Sequence, residues 1–294
     1  MSDIKNLAAI EAGGTKFNCA FGHGHEQIIE STVVNTTDPE TTLSAVFQFF
    51  DHCEKKYKKL DSIGLACFGP IDLDKTSPHY GYIIDTPKIA WSNTDIVGAF
   101  TSRYQVPVGL DTDVNAAAIG EWVFGAGRGA DNIAYVTVGT GIGVGAIVNG
   151  APLHGLFHPE MGHIAVQKRP GEAKGICGSH PSCLEGFACG PAIKARWGKP
   201  AELLAPDHQA WDSEADYLAH LCVVLTLAYS PRKIIMGGGV MKTAGLIGRI
   251  HQHFERQLND YLPTLTRTGG AENYIVAPVL GEHSGIAGAF ELAK

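Results

Sequence analysis

The sequence has little charge and no excess of positive charge. Charged residues occupy 18% of its 294 positions, with 23 lysines and arginines against 30 aspartates and glutamates, so the net charge is −7 at neutral pH. It therefore lacks the basic character on which binding to nucleic acids and anionic membranes depends. We expect neither nucleic acid nor a membrane as a partner.

A membrane-spanning run and a secretory signal are also missing from the sequence. The longest uncharged stretch, 132–159, contains six glycines, two prolines and two histidines, which is typical of strands and turns. The first residues show no cationic segment followed by an apolar one, so we expect no secretory leader. The seven cysteines are an odd number, which favours a reduced, cytoplasmic protein whose clustered cysteines act as ligands.

Glycine, by contrast, is abundant, with 36 residues against a usual share of about 7%. Backbone amides in glycine turns can approach phosphate oxygens closely, and a neighbouring Lys16 would add a cation. Each turn taken alone is better explained as an ordinary hairpin turn. The three candidate turns for nucleotide contact are Gly13-Gly14-Thr15, Gly139-Thr140-Gly141 and Gly237-Gly238-Gly239.

Two common nucleotide motifs are excluded. The sequence has no Gly-x4-Gly-Lys-Ser/Thr run, and therefore no P-loop signature. Residues 141–146 match a relaxed dinucleotide fingerprint, but they continue into an apolar strand rather than opening a helix. The dinucleotide interpretation therefore fails its structural context.

Strands and helices are predicted to alternate, which indicates an α/β protein. Apolar runs predict a hairpin over 7–22, and helical spacing predicts an amphipathic helix over 40–58 that begins after Asp38. The other predicted strands are 27–34, 62–67, 106–110, 133–138, 142–148, 232–236 and 274–277. The other predicted helices are 94–104, 114–124, 184–197, 214–229, 241–258 and 283–292.

A strand, a glycine turn carrying threonine and a second strand occur twice, at 7–22 and at 133–148. This echo indicates a duplicated lobe. We predict an N-terminal lobe over 1–115 and a C-terminal lobe over 116–282. The second lobe would carry an inserted zinc loop at 154–189, and the final helix, 283–294, is a candidate to pack on the first lobe.

Four potential metal ligands occur close together: His163, Cys177, His180 and Cys183. Two nitrogen and two sulfur donors with this spacing are typical of a tetrahedral structural zinc site rather than of Mg²⁺ or Ca²⁺. The alternative is a loop with unrelated cysteines or a stray disulfide. His154, His158 and Cys189 lie nearby in the sequence as further candidates.

Three carboxylates are candidates for chemistry. Asp113 follows the strand predicted at 106–110, and ligands in α/β folds lie at the carboxyl ends of strands. It also directly precedes a helix, so taken alone it is better explained as a helix cap. Glu160 stands three residues before His163, and Glu11 precedes the first glycine turn, where it could orient Mg²⁺ or cap a strand end.

In this order, the motifs resemble those of the ROK sugar kinases, and the resemblance covers essentially the whole chain. Each stretch is weak evidence alone, but the series is specific. The stretches that carry it are Glu11-Ala12-Gly13-Gly14-Thr15-Lys16, Cys67-Phe68-Gly69-Pro70-Ile71-Asp72, 113–121, 138–143, Glu160-Met161-Gly162-His163 with the Cys/His cluster, Gly190-Pro191 and Gly237-Gly238-Gly239-Val240.

The resemblance implies a two-lobed fold of the actin–hexokinase type and an ATP-dependent hexose kinase that needs ATP, Mg²⁺ and Zn²⁺ and forms a homodimer. It implies that Asp113 is the catalytic base. The residues implied to contact sugar are Gly69, Pro70, Thr112, Asp113, Glu160 and His163. The residues implied to contact ATP and Mg²⁺ are Glu11, Gly13, Gly14, Thr15, Lys16, Gly139, Thr140, Gly141, Pro191, Gly237, Gly238, Gly239 and Val240.

Departures from the family pattern favour its bacterial fructokinase branch. Thr112 replaces the usual Asn before the catalytic Asp, Ile71 replaces a Gly, and the metal cluster is Cys-x2-His-x2-Cys. A kinase for glucose or mannose is the alternative within the family. A sugar-sensing regulator without kinase activity is the alternative from another class. Such regulators carry a helix-turn-helix segment before the first phosphate motif, which we do not expect ahead of Glu11.

Overall fold

The structure, a computed structural model, describes residues 4–86, 88–169 and 171–294. They form two compact units. The first unit comprises the described residues up to Phe124, together with His154–His158 and His283–Lys294. The second comprises Gly125–Leu153 and the described part of Pro159–Glu282. The predicted N-terminal lobe starts at residue 1, and its first three residues lie outside the described part of the chain.

Strands and helices alternate in both units, which confirms the predicted α/β class. The strands are β1 (Leu7–Ala12), β2 (Lys16–Gly22), β3 (Ile28–Asn35), β4 (Ser62–Cys67), β5 (Tyr82–Ile83), β6 (Thr94–Asp95), β7 (Val108–Thr112), β8 (Ile133–Val138), β9 (Ile142–Val148), β10 (Ala151–Pro152), β11 (Lys233–Gly237) and β12 (Ile275–Val276). The α-helices are α1 (Pro39–Lys56), α2 (Ile96–Tyr104), α3 (Asp113–Val123), α4 (Leu184–Ala188), α5 (Gly190–Trp197), α6 (Ala210–Tyr229), α7 (Leu246–Leu258), α8 (Pro263–Arg267), α9 (Gly270–Tyr274) and α10 (Ser284–Leu292).

The same strand order occurs in both units. The first unit has a sheet of order β3-β2-β1-β4-β7, and the second has one of order β10-β9-β8-β11-β12. In each, an antiparallel hairpin is followed by parallel strands: β1 pairs with β4 and β4 with β7, and β8 pairs with β11 and β11 with β12. The sheets therefore repeat one topology, as the echo between 7–22 and 133–148 predicts.

Parallel strands bring their carboxyl ends to one edge of a sheet. In the first unit, Ala12 at the end of β1 pairs with Cys67 at the end of β4, and Cys67 pairs with Thr112 at the end of β7. Every residue of β4 is buried, as expected for a strand that is covered on both faces. The residues that follow these three strands are consequently placed along one edge.

Helix α10 belongs to the first unit because it packs very closely on α3. A Cβ atom built on Gly288 would lie 1.7 Å from the Ala116 carbonyl oxygen, and one on Gly120 would lie 2.2 Å from the Ser284 carbonyl oxygen. Only glycine permits this approach. Because α10 packs along α3, all of α3 belongs to the first unit. That unit therefore extends to Phe124 rather than to the predicted position 115.

Two predicted helices are shorter in the structure than expected. The helix predicted over 184–197 breaks at Cys189, which has extended backbone, because a new helix starts with Gly190 and Pro191 and proline suits a first turn. The helix predicted from 241 starts at Leu246, since Gly245 adopts a φ of +79°.

No helix in the described part of the chain is both long and apolar enough to span a membrane.

A carboxyl group is buried in the core of the second unit. Glu214 on α6 is 1% exposed, and neither of its side-chain oxygens has a hydrogen-bond partner among the described residues. Burial raises the pKa of the Glu214 carboxyl well above its usual value. The folded state therefore favours the protonated form, and ionisation at higher pH works against folding.

We predict that Glu214→Gln makes stability less dependent on pH. Wild-type free energy of unfolding should fall as pH rises from the unfolded-state pKa of about 4.3 towards the raised folded-state value. The advantage of the variant over wild type should grow between pH 5 and pH 8 by about 1 kcal/mol or more, because each unit of pKa shift corresponds to about 1.4 kcal/mol. Urea unfolding at both pH values measures this difference.

Glu255→Gln serves as the matched control, because Glu255 is exposed on α7. It should leave the pH dependence as in wild type. An advantage of Glu214→Gln that is the same at both pH values would contradict a buried protonated carboxyl.

Candidate functional site

Strand β7 leads directly into α3, and Thr112 caps that helix. The Thr112 hydroxyl accepts a hydrogen bond from the Asn115 amide at 3.1 Å, and Thr112 has the extended backbone of an N-cap. Asp113 is instead the first helical residue. The interpretation of Asp113 as the cap is therefore wrong, because the threonine before it performs that role. The hydroxyl of Thr112, predicted to contact sugar, accepts this bond and keeps its own proton to donate.

The Asp113 carboxylate lies at the edge of the sheet where β1, β4 and β7 end. Its Oδ1 accepts from the Val114 amide at 2.8 Å, a contact that lowers its pKa. Burial has the larger, opposite effect and raises the pKa of Asp113 to about 6. A carboxylate whose pKa is raised towards neutrality is a better proton acceptor than an exposed aspartate.

The predicted sugar segment follows β4 at the same edge. Gly69 and Pro70 form a cis peptide bond, and the Pro70 carbonyl accepts from the Ile84 amide at 2.9 Å. The Ile71 amide donates to Nε2 of His158 at 3.4 Å. Gly69, Pro70 and Asp113 are thus brought together within the first unit, on the ends of neighbouring strands.

The first glycine turn follows β1 at this edge and closes as a hairpin. The Gly13 amide donates to the Lys16 carbonyl at 3.0 Å, and the Gly13 carbonyl accepts from the Thr36 hydroxyl at 2.8 Å. Thr15 and Lys16 are exposed. Glu11 accepts from Asn18 Nδ2 at 2.7 Å. The geometry is that of a well-formed turn, and its contacts with ATP and Mg²⁺ stay predictions.

A cavity of about 650 Å³ lies in the second unit, where β8 and β11 end. The Gly190 amide donates to the Gly139 carbonyl at 2.7 Å, which joins the second glycine turn to the start of α5. Lys242 and Glu202, which sequence reasoning missed, also line the cavity. The predicted nucleotide residues that line it are Gly139, Thr140, Pro191, Gly239 and Val240.

Three other predicted nucleotide residues pack elsewhere in the second unit. A Cβ atom on Gly237 would lie 2.4 Å from the Tyr135 hydroxyl, and one on Gly238 would lie 2.4 Å from the Val138 carbonyl oxygen. Gly238 also has a φ of +94°. A Cβ atom on Gly141 would lie 2.7 Å from Oε2 of Glu185. These glycines permit close packing and are not among the residues that line the cavity.

The four predicted metal ligands come together in the second unit. One potential ligand atom from each of His163, Cys177, His180 and Cys183 lies within 4.8 Å of the others. Cys177 Sγ is 3.8 Å from His163 Nδ1 and 3.7 Å from His180 Nδ1. A tetrahedral zinc ion with ordinary Zn–S and Zn–N bonds requires sulfur–nitrogen separations of about 3.6 Å. The donor set and spacing therefore fit zinc.

Backbone pairing holds this metal loop in shape. The Val166 amide donates to the Ser182 carbonyl at 2.9 Å, and the Leu184 amide donates to the Ile164 carbonyl at 3.0 Å. Glu160, the predicted sugar contact, directly precedes the short turn Met161–His163, and its carbonyl accepts from the His163 amide at 3.0 Å. A metal on His163 would therefore also fix the backbone next to Glu160.

Comparison with known proteins decides the family. The ROK family profile matches residues 7–294. The chain belongs to the ROK family. A Bacillus subtilis protein with the provisional name fructokinase is 44% identical over 288 residues, covering 98% of this chain and 95% of that protein. The fructokinase of Zymomonas mobilis is 41% identical, covering 99% of this chain and 97% of that protein.

Solved structures of ROK proteins share the fold. The ROK glucokinase of Streptomyces griseus, crystallised with glucose and AMPPNP, superposes with a TM-score of 0.74 at 25% identity, covering 98% of this chain and 99% of that one. The predicted two-lobed, actin–hexokinase type of fold is confirmed by this match.

Glu185 is a site residue of this ROK chain that sequence reasoning missed. It opens α4, its Oε2 accepts from the Ile142 amide at 2.8 Å, and its Oε1 lies 3.9 Å from Nε2 of His163. At this distance the Glu185 carboxylate makes no direct hydrogen bond to the imidazole, but it lies beside a potential metal ligand. The signal in the sequence was its position two residues after the predicted ligand Cys183.

We predict that the purified ROK protein contains about one zinc ion per chain and that His180→Ala abolishes this content. His180 is exposed, so the loss should come from the missing ligand rather than from damage to a core. Metal analysis after removal of loosely bound ions measures the content.

His220→Ala, on α6 and outside the cluster, is the control and should keep its zinc. Zinc retained in full by His180→Ala would remove His180 from the ligand set.

Proposed function

We propose that this protein is an ATP-dependent hexose kinase that converts D-fructose and ATP into fructose 6-phosphate and ADP. The observation that carries the proposal is the near full-length similarity to bacterial fructokinases reported above. The arrangement of the first unit supports it, because a carboxylate with a raised pKa lies at the same sheet edge as the Gly69-Pro70 segment. Phosphoryl transfer to a sugar hydroxyl needs a positioned proton acceptor of this kind.

In the proposed reaction, the fructose 6-hydroxyl oxygen forms a bond to the γ-phosphorus of ATP. The bond between that phosphorus and the β-phosphate oxygen breaks, and ADP leaves. Asp113 accepts the hydroxyl proton. Gly69, Pro70, Glu160 and His163 are proposed to bind sugar.

ATP is proposed to occupy the cavity of the second unit. The open backbone of Gly139 and Gly239 can lie close to a nucleotide. Lys242, whose ammonium pairs with Glu282, also lines the cavity. Mg²⁺ would arrive with the phosphates, where its chemistry is to neutralise developing charge. His163, Cys177, His180 and Cys183 would hold zinc as a structural ion, since four protein ligands leave no open position for a substrate.

The choice of sugar is tested by a panel of hexoses assayed for ADP release with ATP and Mg²⁺. We expect the highest kcat/KM for D-fructose. A higher value for glucose or mannose would transfer the proposal to the alternative within the family, and the absence of ATP-dependent turnover with every sugar would favour the regulator.

We predict that Asp113→Asn lowers kcat at least about a hundredfold, the usual contribution of a general base. Sugar affinity should change little, because the amide keeps the shape of the carboxylate. Steady-state kinetics and a fructose-binding titration measure the two effects.

The exposed Asp131→Asn is the matched control and should retain wild-type turnover. A turnover close to wild type in Asp113→Asn would remove Asp113 from its role.

The pH profile gives an independent prediction for the same residue. Because the base must be ionised and its pKa lies at about 6, kcat/KM should be flat above that value. Below it, activity should fall about tenfold per pH unit as Asp113 becomes protonated. A profile that stays flat down to pH 5 would contradict a base with this pKa.

For the nucleotide cavity, we predict that Gly239→Leu raises the KM for ATP about tenfold or more by occupying ligand space. Gly239 has an ordinary helical φ of −61°, and an added Cβ atom would meet nothing within 4 Å. The fold should therefore tolerate the change, and the thermal midpoint should stay at the wild-type value.

Gly248→Leu is the control, because Gly248 is equally open but lies on α7, outside the cavity lining. Equal ATP kinetics in the two variants would place the nucleotide elsewhere.

A further inference from the structure

The segment His154–His158 is the part of the chain that leaves the second unit after Leu153 and returns at Pro159. It carries a histidine at each end, and both contact strand ends of the first unit. Nε2 of His158 accepts a hydrogen bond from the amide of Ile71, which directly follows the Gly69-Pro70 segment. His154 contacts Asp111 on β7. Neither histidine has a role in the proposed reaction as described above.

The His154–Asp111 contact is a close hydrogen bond with one buried partner. Nε2 of His154 lies 3.0 Å from Oδ2 of Asp111, whose side chain is 2% exposed, whereas the His154 side chain is 43% exposed. The hydrogen bond from His154 to Asp111 raises the pKa of the imidazole, against a smaller opposite effect of burial. The Lys75 charge lowers the pKa of His154. Burial and the Asp111 charge both raise the pKa of the Tyr80 hydroxyl.

The Asp111 carboxylate in turn hydrogen-bonds to Thr112, directly before Asp113, and to Asn115, two residues after it. Its Oδ1 accepts from the Thr112 amide at 2.7 Å and from Nδ2 of Asn115 at 2.7 Å. Thr112 and Asn115 are also the two ends of the capping bond of α3. One buried carboxylate therefore braces the turn on which Asp113 is placed.

We propose that His154 is a positioning residue for Asp113, acting through the buried Asp111 carboxylate to which it donates a hydrogen bond. The inference rests on the proposed function, because it assigns Asp113 the role of base. A buried carboxylate that loses its partner is strongly destabilised and seeks water or another donor. Such a movement of Asp111 would shift Thr112 and Asn115, and misplacement of a catalytic group by about 1 Å can cost about a hundredfold in rate.

The test compares His154→Ala with His154→Gln in the full-length protein. His154→Ala should lower kcat with fructose between about 10- and 100-fold, with the KM values for fructose and ATP within about threefold of wild type. His154→Gln still offers an N–H donor to Asp111, so it should recover most of the lost kcat. His52→Ala on α1, with a side chain 63% exposed, is the control and should match wild type.

A double-mutant cycle adds a readout that general loss of stability would not reproduce. If His154 acts through Asp111, His154→Ala should cost much less kcat in an Asp111→Asn background than in wild type, because the pair acts as a unit.

The inference would be overturned if the losses of kcat caused by His154→Ala and by Asp111→Asn simply multiplied in the double variant. A kcat for His154→Ala within twofold of wild type would also overturn it, as would an increase in fructose KM at unchanged kcat, which would indicate direct contact with sugar. An active wild-type protein with any of these results leaves the proposed function intact. A wild-type protein without turnover on any sugar overturns that function and this inference together.

Discussion

The hydrogen bond from the Asn115 amide to the Thr112 hydroxyl is the local constraint on which the candidate site depends. Every α-helix starts with amides that need acceptors, and an aspartate at the start of a helix is often consumed in that role. Here the threonine meets the need. Asp113 is thereby left as the first helical residue, at the edge of the sheet, with a pKa raised by burial to about 6.

The sheet adds the second constraint, because its parallel strands end in register. Ala12, Cys67 and Thr112 are neighbours across β1, β4 and β7, so the first glycine turn, the Gly69-Pro70 segment and Asp113 follow the ends of adjacent strands. The second unit repeats this topology, and there the same edge carries Gly139 and Gly239 beside a cavity. One strand arrangement thus supplies a candidate sugar-binding edge in the first unit and a candidate nucleotide cavity in the second.

Much of this could be predicted from the sequence where the signal is local. The two hairpins, the Asp38 cap of α1 and the gathering of His163, Cys177, His180 and Cys183 follow from short patterns of residues. The predictions that failed depend on distant contacts or competing neighbours. The break at Cys189 needed the Gly190-Pro191 pair to be recognised as a helix start, and the extent of the first unit depends on the contact between Gly288 and Ala116.

Whether a glycine lies open to a ligand or permits close packing could likewise not be predicted from the sequence. Gly239 lies open at the cavity, whereas Gly238, its direct neighbour, is packed against the Val138 backbone. The pairing of His154 with Asp111 joins residues 43 positions apart, and Glu185 lies 3.9 Å from His163 although Cys177 and His180 separate them in the chain. These contacts are set by the fold as a whole.

The most direct test of the account is a crystal structure of the protein with D-fructose and a non-hydrolysable ATP analogue. We expect the fructose 6-hydroxyl within hydrogen-bond distance, about 2.6–3.2 Å, of the Asp113 carboxylate, and the Thr112 hydroxyl still bonded to the Asn115 amide. A fructose molecule bound with no hydroxyl near Asp113 would contradict the account.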